Sequence, residues 1–191
     1  ETGSIILTLY QRSVRNVKYM HLPTYDDYFT RLELNYSTRM LVEESLMVYY
    51  HPFESGKKVG SWFDHAPTWL IGKVNDSRLY REIHRLKKLI EKKTGTKDAR
   101  PRFYVQAKGS EVPWHSDLNT RCCINIILSN RAAPIVFEDI GEVQYRCALF
   151  DITKRHMVPE FKTERLLLKF SIFDVSYEQA REGLKDYVPS H

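Results

Sequence analysis

Long hydrophobic runs are missing from this sequence. Its apolar runs, such as Ile126–Leu128 and Leu166–Leu168, are far short of the roughly 20 residues that a membrane-spanning helix needs, so no membrane span is expected. Cysteine is scarce. The three present, Cys122, Cys123 and Cys147, are odd in number and lack the spacing of a disulfide framework. No C-x-x-C pair occurs, which argues against a structural zinc site. On a strand, the adjacent Cys122 and Cys123 would point to opposite faces, so they read as small buried apolar residues rather than partners. Internal repeats and low-complexity segments are also lacking. No strong charge of one sign appears: 29 Lys and Arg stand against 24 Asp and Glu, for a net charge of +5. That excess permits an acidic substrate or a nucleic acid and requires neither. The local cluster Lys87, Lys88, Lys92, Lys93 and Lys97 reads as a solvated helix face. The sequence opens on Glu1 rather than Met, so processing is expected and the first residues carry no readable targeting signal.

What is present fits one domain. A protein of 191 residues and 42% hydrophobic content is large enough to bury one continuous core. Residues 1–99 are expected to supply strands and helices that support a barrel, 100–175 the barrel itself, and 176–191 a closing helix and tail. Ile5–Tyr10 looks like a strand and Tyr25–Leu34 is ambiguous. Met40–Tyr50 has strand-like ends, Ser55–Val59 is a loop, and Ser61–Ile71 is aromatic and irregular. Ser77–Lys93 is the clearest helix, with Leu79, Ile83, Leu86 and Ile90 on one face. Asp76 or Ser77 suits its start and Gly95 its stop; His84, off the stripe, reads as a surface residue. After Pro101, strands are expected at Arg102–Ala107, Cys122–Leu128, Pro134–Glu138, Gln144–Phe150, His156–Val158 and Arg165–Val175, divided by turn signals. Short strands at this spacing predict a mainly β fold with flanking helices, a sandwich or jelly roll. Ser176–Leu184 predicts a capped closing helix.

The segment VPWHSDLNTRCCINIILSN, residues 112–130, carries His115-x-Asp117 just before an apolar run. With seven His and 24 acids in the sequence, random placement alone supplies about one such pair, so the two residues taken alone are turn residues at a sheet edge. Their context raises the stakes. Two residues apart at a strand end, both side chains face the same way. One further imidazole would complete the two-histidine, one-carboxylate set that suits non-heme Fe(II) and leaves three positions open. The candidate is His156. If the stretch after it makes a hairpin turning near Glu160-Phe161, Arg165 pairs directly with His156, roughly 5 Å away at Cβ and on the same face. An arginine there suits a fork-like grip on the far carboxylate of a diacid.

His115-x-Asp117, His156 and Arg165, spread over a short-strand domain, resemble the Fe(II)- and 2-oxoglutarate-dependent oxygenases of the double-stranded β-helix fold. HSDLNTRCCINIILSN is similar to prolyl-hydroxylase-like members. FDITKRHMV and TERLLLKFSIFDVSYEQA look more like the aspartyl/asparaginyl β-hydroxylase branch, many members of which lack the carboxylate that Asp117 supplies here. The resemblance implies Fe(II) on His115, Asp117 and His156, and 2-oxoglutarate as cosubstrate with Arg165 on its distal carboxylate. It further implies O2 as oxidant and hydroxylation of a peptide or protein side chain with release of succinate. Tyr104 and Asn125 are the secondary candidates for touching the cosubstrate; packing at the core edge and a structural amide bond are the alternatives. Arg121 reads as solvated and Trp114 as packing or a substrate rim; Lys169, on the Arg165 face by alternation, either caps the barrel end or pairs with an acid and carries no assigned role. His21, His51 and His65, with Tyr49, Tyr50, Phe63 and Trp69, lie in segments that would drape over the barrel mouth or simply pack against it. Ferrous iron and free thiols both favour a reducing intracellular compartment. The rival readings are an oxygenase of a small metabolite or nucleic acid, and a non-enzymatic jelly-roll binding module. Nucleic acid is not indicated, because Lys169 stands where the demethylating branch carries a second arginine. Oligomeric state is left open.

Overall fold

The structure is a computed structural model, described over residues 25–52, 69–129 and 133–190. The expectations for Ile5–Tyr10, Ser55–Val59, residues 61–68, His21, His65 and Phe63 fall outside those residues. Among the described residues the strands form two antiparallel sheets. The larger runs β1 (Phe29–Arg31), β9 (Cys147–Phe150), β6 (Cys122–Ile127), β11 (Arg165–Ile172), β4 (Ala99–Gln106), β3 (Trp69–Lys73), β2 (Tyr50–Pro52) in spatial order. The smaller runs β5 (Val112–His115), β10 (His156–Val158), β7 (Ala133–Phe137), β8 (Gly141–Tyr145). The two face each other as a double-stranded β-helix, or jelly roll, and three helices flank the larger sheet: α1 (Thr38–Ser45), α2 (Arg81–Thr94) and α3 (Tyr177–Gly183). Three strands of the larger sheet, β1 to β3, come from before residue 99. None of the helices among the described residues is long and apolar enough to cross a membrane.

Strand alternation divides the core in two. Ile124, Ile126, Leu168 and Phe170 face the helices and pack on Ile83, Leu86 and Ile90. Cys123, Ile127 and Leu167, one residue out of phase, face the smaller sheet and meet Ile135, Phe137 and Phe150. Cys122 and Cys123 thus lie on opposite faces, both fully buried and both free.

The helix α2 closes on Gly95, whose φ of 76° lies in the left-handed region that glycine adopts without a Cβ penalty. Its start differs from expectation. Asp76 caps a separate 3₁₀ turn, Ser77–Leu79, and the α-helix begins at Arg81 after Tyr80, whose phenol makes no capping bond. The first N–H groups are taken instead by the buried carboxylate of Glu44, which accepts from Glu82 N at 2.6 Å and Ile83 N at 3.0 Å. Leu79 sits in the preceding turn, out of phase with the stripe, and is 71% exposed. Met40–Tyr50 proves mostly helical: Ser37 accepts from Met40 N and opens α1, and only Tyr50 joins a strand. Gln144–Phe150 is two strands rather than one, because the backbone leaves the smaller sheet at Tyr145 and enters the larger at Cys147. The closing helix carries a full capping box between Ser176 and Gln179.

Candidate metal centre

Histidines 115 and 156 sit directly opposite each other on β5 and β10. Opposed residues on antiparallel neighbours project from one face, and the two imidazole rings stand 4.3 Å apart between centroids. In each ring Nδ1 lies 2.8 Å from the carbonyl oxygen two residues earlier, Pro113 for His115 and Lys154 for His156. A carbonyl only accepts, so Nδ1 carries the proton and the lone pair sits on Nε2 in both rings. This is the tautomer that a metal-binding imidazole needs, oriented by a backbone acceptor. Burial lowers the pKa of His115 and takes that of His156 down to about 4, so both rings are neutral near pH 7.

Asp117 follows on the loop after β5. Its N–H donates to Ile152 O at 2.9 Å, which pins the loop across the mouth of the larger sheet. Its Oδ1 lies 3.7 Å from His115 Nε2, and its Oδ2 accepts from Lys169 Nζ at 3.1 Å. Burial pushes this carboxyl's pKa up, but the Lys169 ammonium and the two imidazoles outweigh it, and the net direction is down. Lys169, in turn, is held cationic by Asp117 against its own burial. Lys169 thus holds one carboxylate oxygen, and the other lies near His115. Among the described residues no group of three His, Cys, Asp or Glu side chains is placed so that it could hold a metal ion. His115, Asp117 and His156 share the lining of one cavity.

The expectation that His156 and Arg165 pair across a hairpin is overturned. His156 pairs with His115 and Phe137 in the smaller sheet, and Arg165 pairs with Gln106 in the larger. The segment between them crosses from one sheet to the other instead of turning back on itself. The two side chains nevertheless line one cavity of about 190 Å³, together with His115 and Asp117. A water occupies about 30 Å³ of liquid, so this space suits a small molecule rather than a polymer.

Arg165 is 2% exposed. Its Nη1 donates to Pro134 O at 3.3 Å, its Nε has no partner among the described residues, and no carboxylate pairs with it there. Burial lowers its pKa, with Tyr145 opposing. Beside it, the register sets Trp69, Gln106 and Arg165 in one row across β3, β4 and β11. Trp69 Nε1 and Gln106 Oε1 also lack partners among the described residues, while Gln106 Nε2 is tied to Ser110 O and Pro159 O. A buried polar atom without a partner costs about 1–3 kcal/mol. Two of the three, Trp69 Nε1 and Arg165 Nε, are N–H donors, the second on a buried cation, and suit an anionic group; Gln106 Oε1 is an acceptor and calls for a donor instead.

Of the secondary candidates, Tyr104 and Asn125 both line the cavity. The Asn125 amide donates to Tyr145 OH at 3.3 Å, and Tyr104 packs edge-on to Trp69 at 6.4 Å between ring centroids. Trp114 is 39% exposed beside His115, Tyr49 is 85% exposed, and Tyr50 packs on the helix-side core. Arg121 is exposed, and His51 lies on β2 at the far edge of the larger sheet. Sequence reasoning missed Gln106 and Tyr145. For Lys169, alternation from Arg165 gave the inner face, and of the two alternatives, capping the barrel end or pairing with an acid, the structure shows the pairing, with Asp117.

No family model matches the sequence, and no curated protein matches it. Among solved structures, a prolyl hydroxylase from Trichoplax adhaerens, in complex with a hypoxia inducible factor oxygen degradation domain peptide fragment, superposes with a TM-score of 0.58 at 12% identity; 80% of this chain and 84% of that one are covered. A Pseudomonas putida prolyl-4-hydroxylase gives a TM-score of 0.52 at 13% identity, covering 78% of this chain and 92% of that one. At this identity the likeness establishes the fold that the two sheets already display.

Proposed function

We propose that this protein is an Fe(II)- and 2-oxoglutarate-dependent oxygenase that hydroxylates a peptide or protein side chain. One observation carries the reading. Two neutral imidazoles 4.3 Å apart between centroids, a carboxylate beside one of them, and a buried arginine with no counterion among the described residues all line one small cavity. The donor set fits a hard-to-borderline divalent metal with open positions, and the N–H groups of Trp69 and Arg165 fit the distal carboxylate of a diacid. The likeness of fold to two prolyl hydroxylases, one of them in complex with a peptide fragment, supports the same class.

On this reading His115, His156 and Asp117 hold the iron. Bound iron, with 2-oxoglutarate and O2, supplies the oxidising chemistry that an unactivated C–H bond requires. The protein's own residues do the rest. Pro113 O and Lys154 O fix the imidazole tautomers. Lys169 orients Asp117 and balances its charge. Arg165 and Trp69 Nε1 take the cosubstrate carboxylate and thereby aim its other end at the metal. Tyr104, Ile135 and Leu167 wall the space and exclude water from a reactive oxidant.

Anaerobic titration tests this. Fe(II) added with 2-oxoglutarate is expected to give a weak visible charge-transfer band that is lost in His115→Ala, and air is expected to convert 2-oxoglutarate to succinate. A protein that binds neither metal nor cosubstrate under those conditions is a binding module and not an oxygenase.

A further inference from the structure

The sheet register sets three cations side by side. Lys73 on β3 is directly opposite Arg102 on β4, and Arg102 is directly opposite Lys169 on β11. Like charges in directly opposed positions repel and destabilise a sheet. Asp117 compensates Lys169. Among the described residues, no carboxylate pairs with Lys73 or Arg102.

These two cations open onto a second space. A groove of about 500 Å³ runs from the ends of β3 and β4 to the flank of α2, lined by Lys73, Lys97, Arg100 and Arg102 and by Lys87 and Lys88 of the helix. Its two carboxylates, Asp76 and Asp98, are each already engaged by a neighbouring arginine, Arg78 and Arg100. Lys87 and Lys88 share Glu91. Lys73, Lys97 and Arg102 therefore remain as positive charge facing the groove. Arg102 is common to the groove and to the cavity of the candidate metal centre. The groove and the cavity thus adjoin at Arg102.

We infer that this groove binds an acidic stretch of polypeptide and, given the oxygenase reading above, that the stretch flanks the side chain presented to the metal. The cavity is too small for a polymer, so a polypeptide substrate has to lie outside it and insert one side chain. The groove provides that outside track, and its cations are strung along it rather than gathered at one point. That distribution suits several carboxylates in series better than a single phosphate. No Phe, Tyr or Trp among the described residues lines the groove, so it lacks the stacking platforms by which single-stranded nucleic acid is held.

The test is fluorescence anisotropy on the full-length protein with a labelled decapeptide of alternating Glu and Gly, beside the same peptide with Gln for Glu and beside a ten-nucleotide oligo-dT. The acidic peptide is expected to bind, to weaken steeply from 50 to 500 mM salt as screened surface charge does, and to lose at least tenfold in affinity in Lys73→Glu/Lys97→Glu. Both positions are exposed, so the variant is expected to fold, and unchanged far-UV circular dichroism checks this. An Arg102→Gln variant is expected to weaken binding as well. Equal binding of the Glu and Gln peptides, or an unaltered affinity in the folded double variant, overturns the inference. Tighter binding of oligo-dT than of the acidic peptide overturns it in favour of nucleic acid. The Fe(II) and 2-oxoglutarate band is read on the same samples. A band without peptide binding sinks the groove and spares the oxygenase; peptide binding without a band does the reverse.

Discussion

Replacing Lys169 with methionine isolates the contact that orients the candidate carboxylate ligand. The ammonium lies 3.1 Å from Asp117 Oδ2, with 19% and 27% of the two side chains exposed. At an effective dielectric near 20 the bare attraction is about 5 kcal/mol. Partial exposure and the cost of desolvating both charges reduce the net to roughly 2–3 kcal/mol. Urea unfolding in chelator should therefore show Lys169→Met less stable by about that much. In a double-mutant cycle with Asp117→Asn the coupling should be about 2 kcal/mol, because the two charges face each other. Divalent metal should restore much of the lost stability in Lys169→Met but not in the double variant, since a cation at the histidines becomes the new partner of Asp117. Additivity within about 0.5 kcal/mol, or equal rescue of both variants, refutes the claim that Lys169 and a metal share Asp117.

Trp69→Phe keeps an aromatic ring against Arg165 and removes only Nε1–H; isothermal titration should show 2-oxoglutarate binding weakened about tenfold, as for one lost hydrogen bond, with metal affinity unchanged. Arg165→Met should cost the cosubstrate about a hundredfold or more, the loss of a charge-assisted pair, again sparing the metal; equal loss of both in the same titration would point to a collapsed site. Metal-free protein should lose stability in acid. His156 titrates near 4 when folded and at its ordinary 6.5 when unfolded, so below 6.5 the unfolded state takes up the proton first. Its contribution is fully present above pH 6.5 and drains away as pH falls toward 4, by about 3 kcal/mol in chelator-treated samples; a flat stability profile over that window contradicts the buried neutral ring.

Much of this arrangement was legible in the sequence. The near-continuous apolar runs of Cys122–Ile127 and Arg165–Ile172 marked the two central strands because both their faces are buried. Val112–His115 was not legible. It contains Pro113, which a ladder tolerates only at an edge, and β5 is the edge of the smaller sheet. The α1 helix was hidden because its most buried acid, Glu44, answers to α2 rather than to local pattern. The candidate ligands could be picked by type and order, yet the route to Arg165 was misread. Spacing alone does not distinguish a hairpin from a crossing between sheets, and both bring residues 156 and 165 to one cavity. The buried row of Trp69, Gln106 and Arg165 lay beyond sequence reasoning altogether, since it depends on the register of three strands far apart in sequence.

The most direct measurement is anomalous diffraction at the iron edge from crystals grown anaerobically with Fe(II) and 2-oxoglutarate. One iron peak is expected at coordination distance from His115 Nε2, His156 Nε2 and an Asp117 carboxylate oxygen, with the diacid's far end on Arg165. Iron held by other side chains, or a diacid bound away from Arg165, contradicts the account.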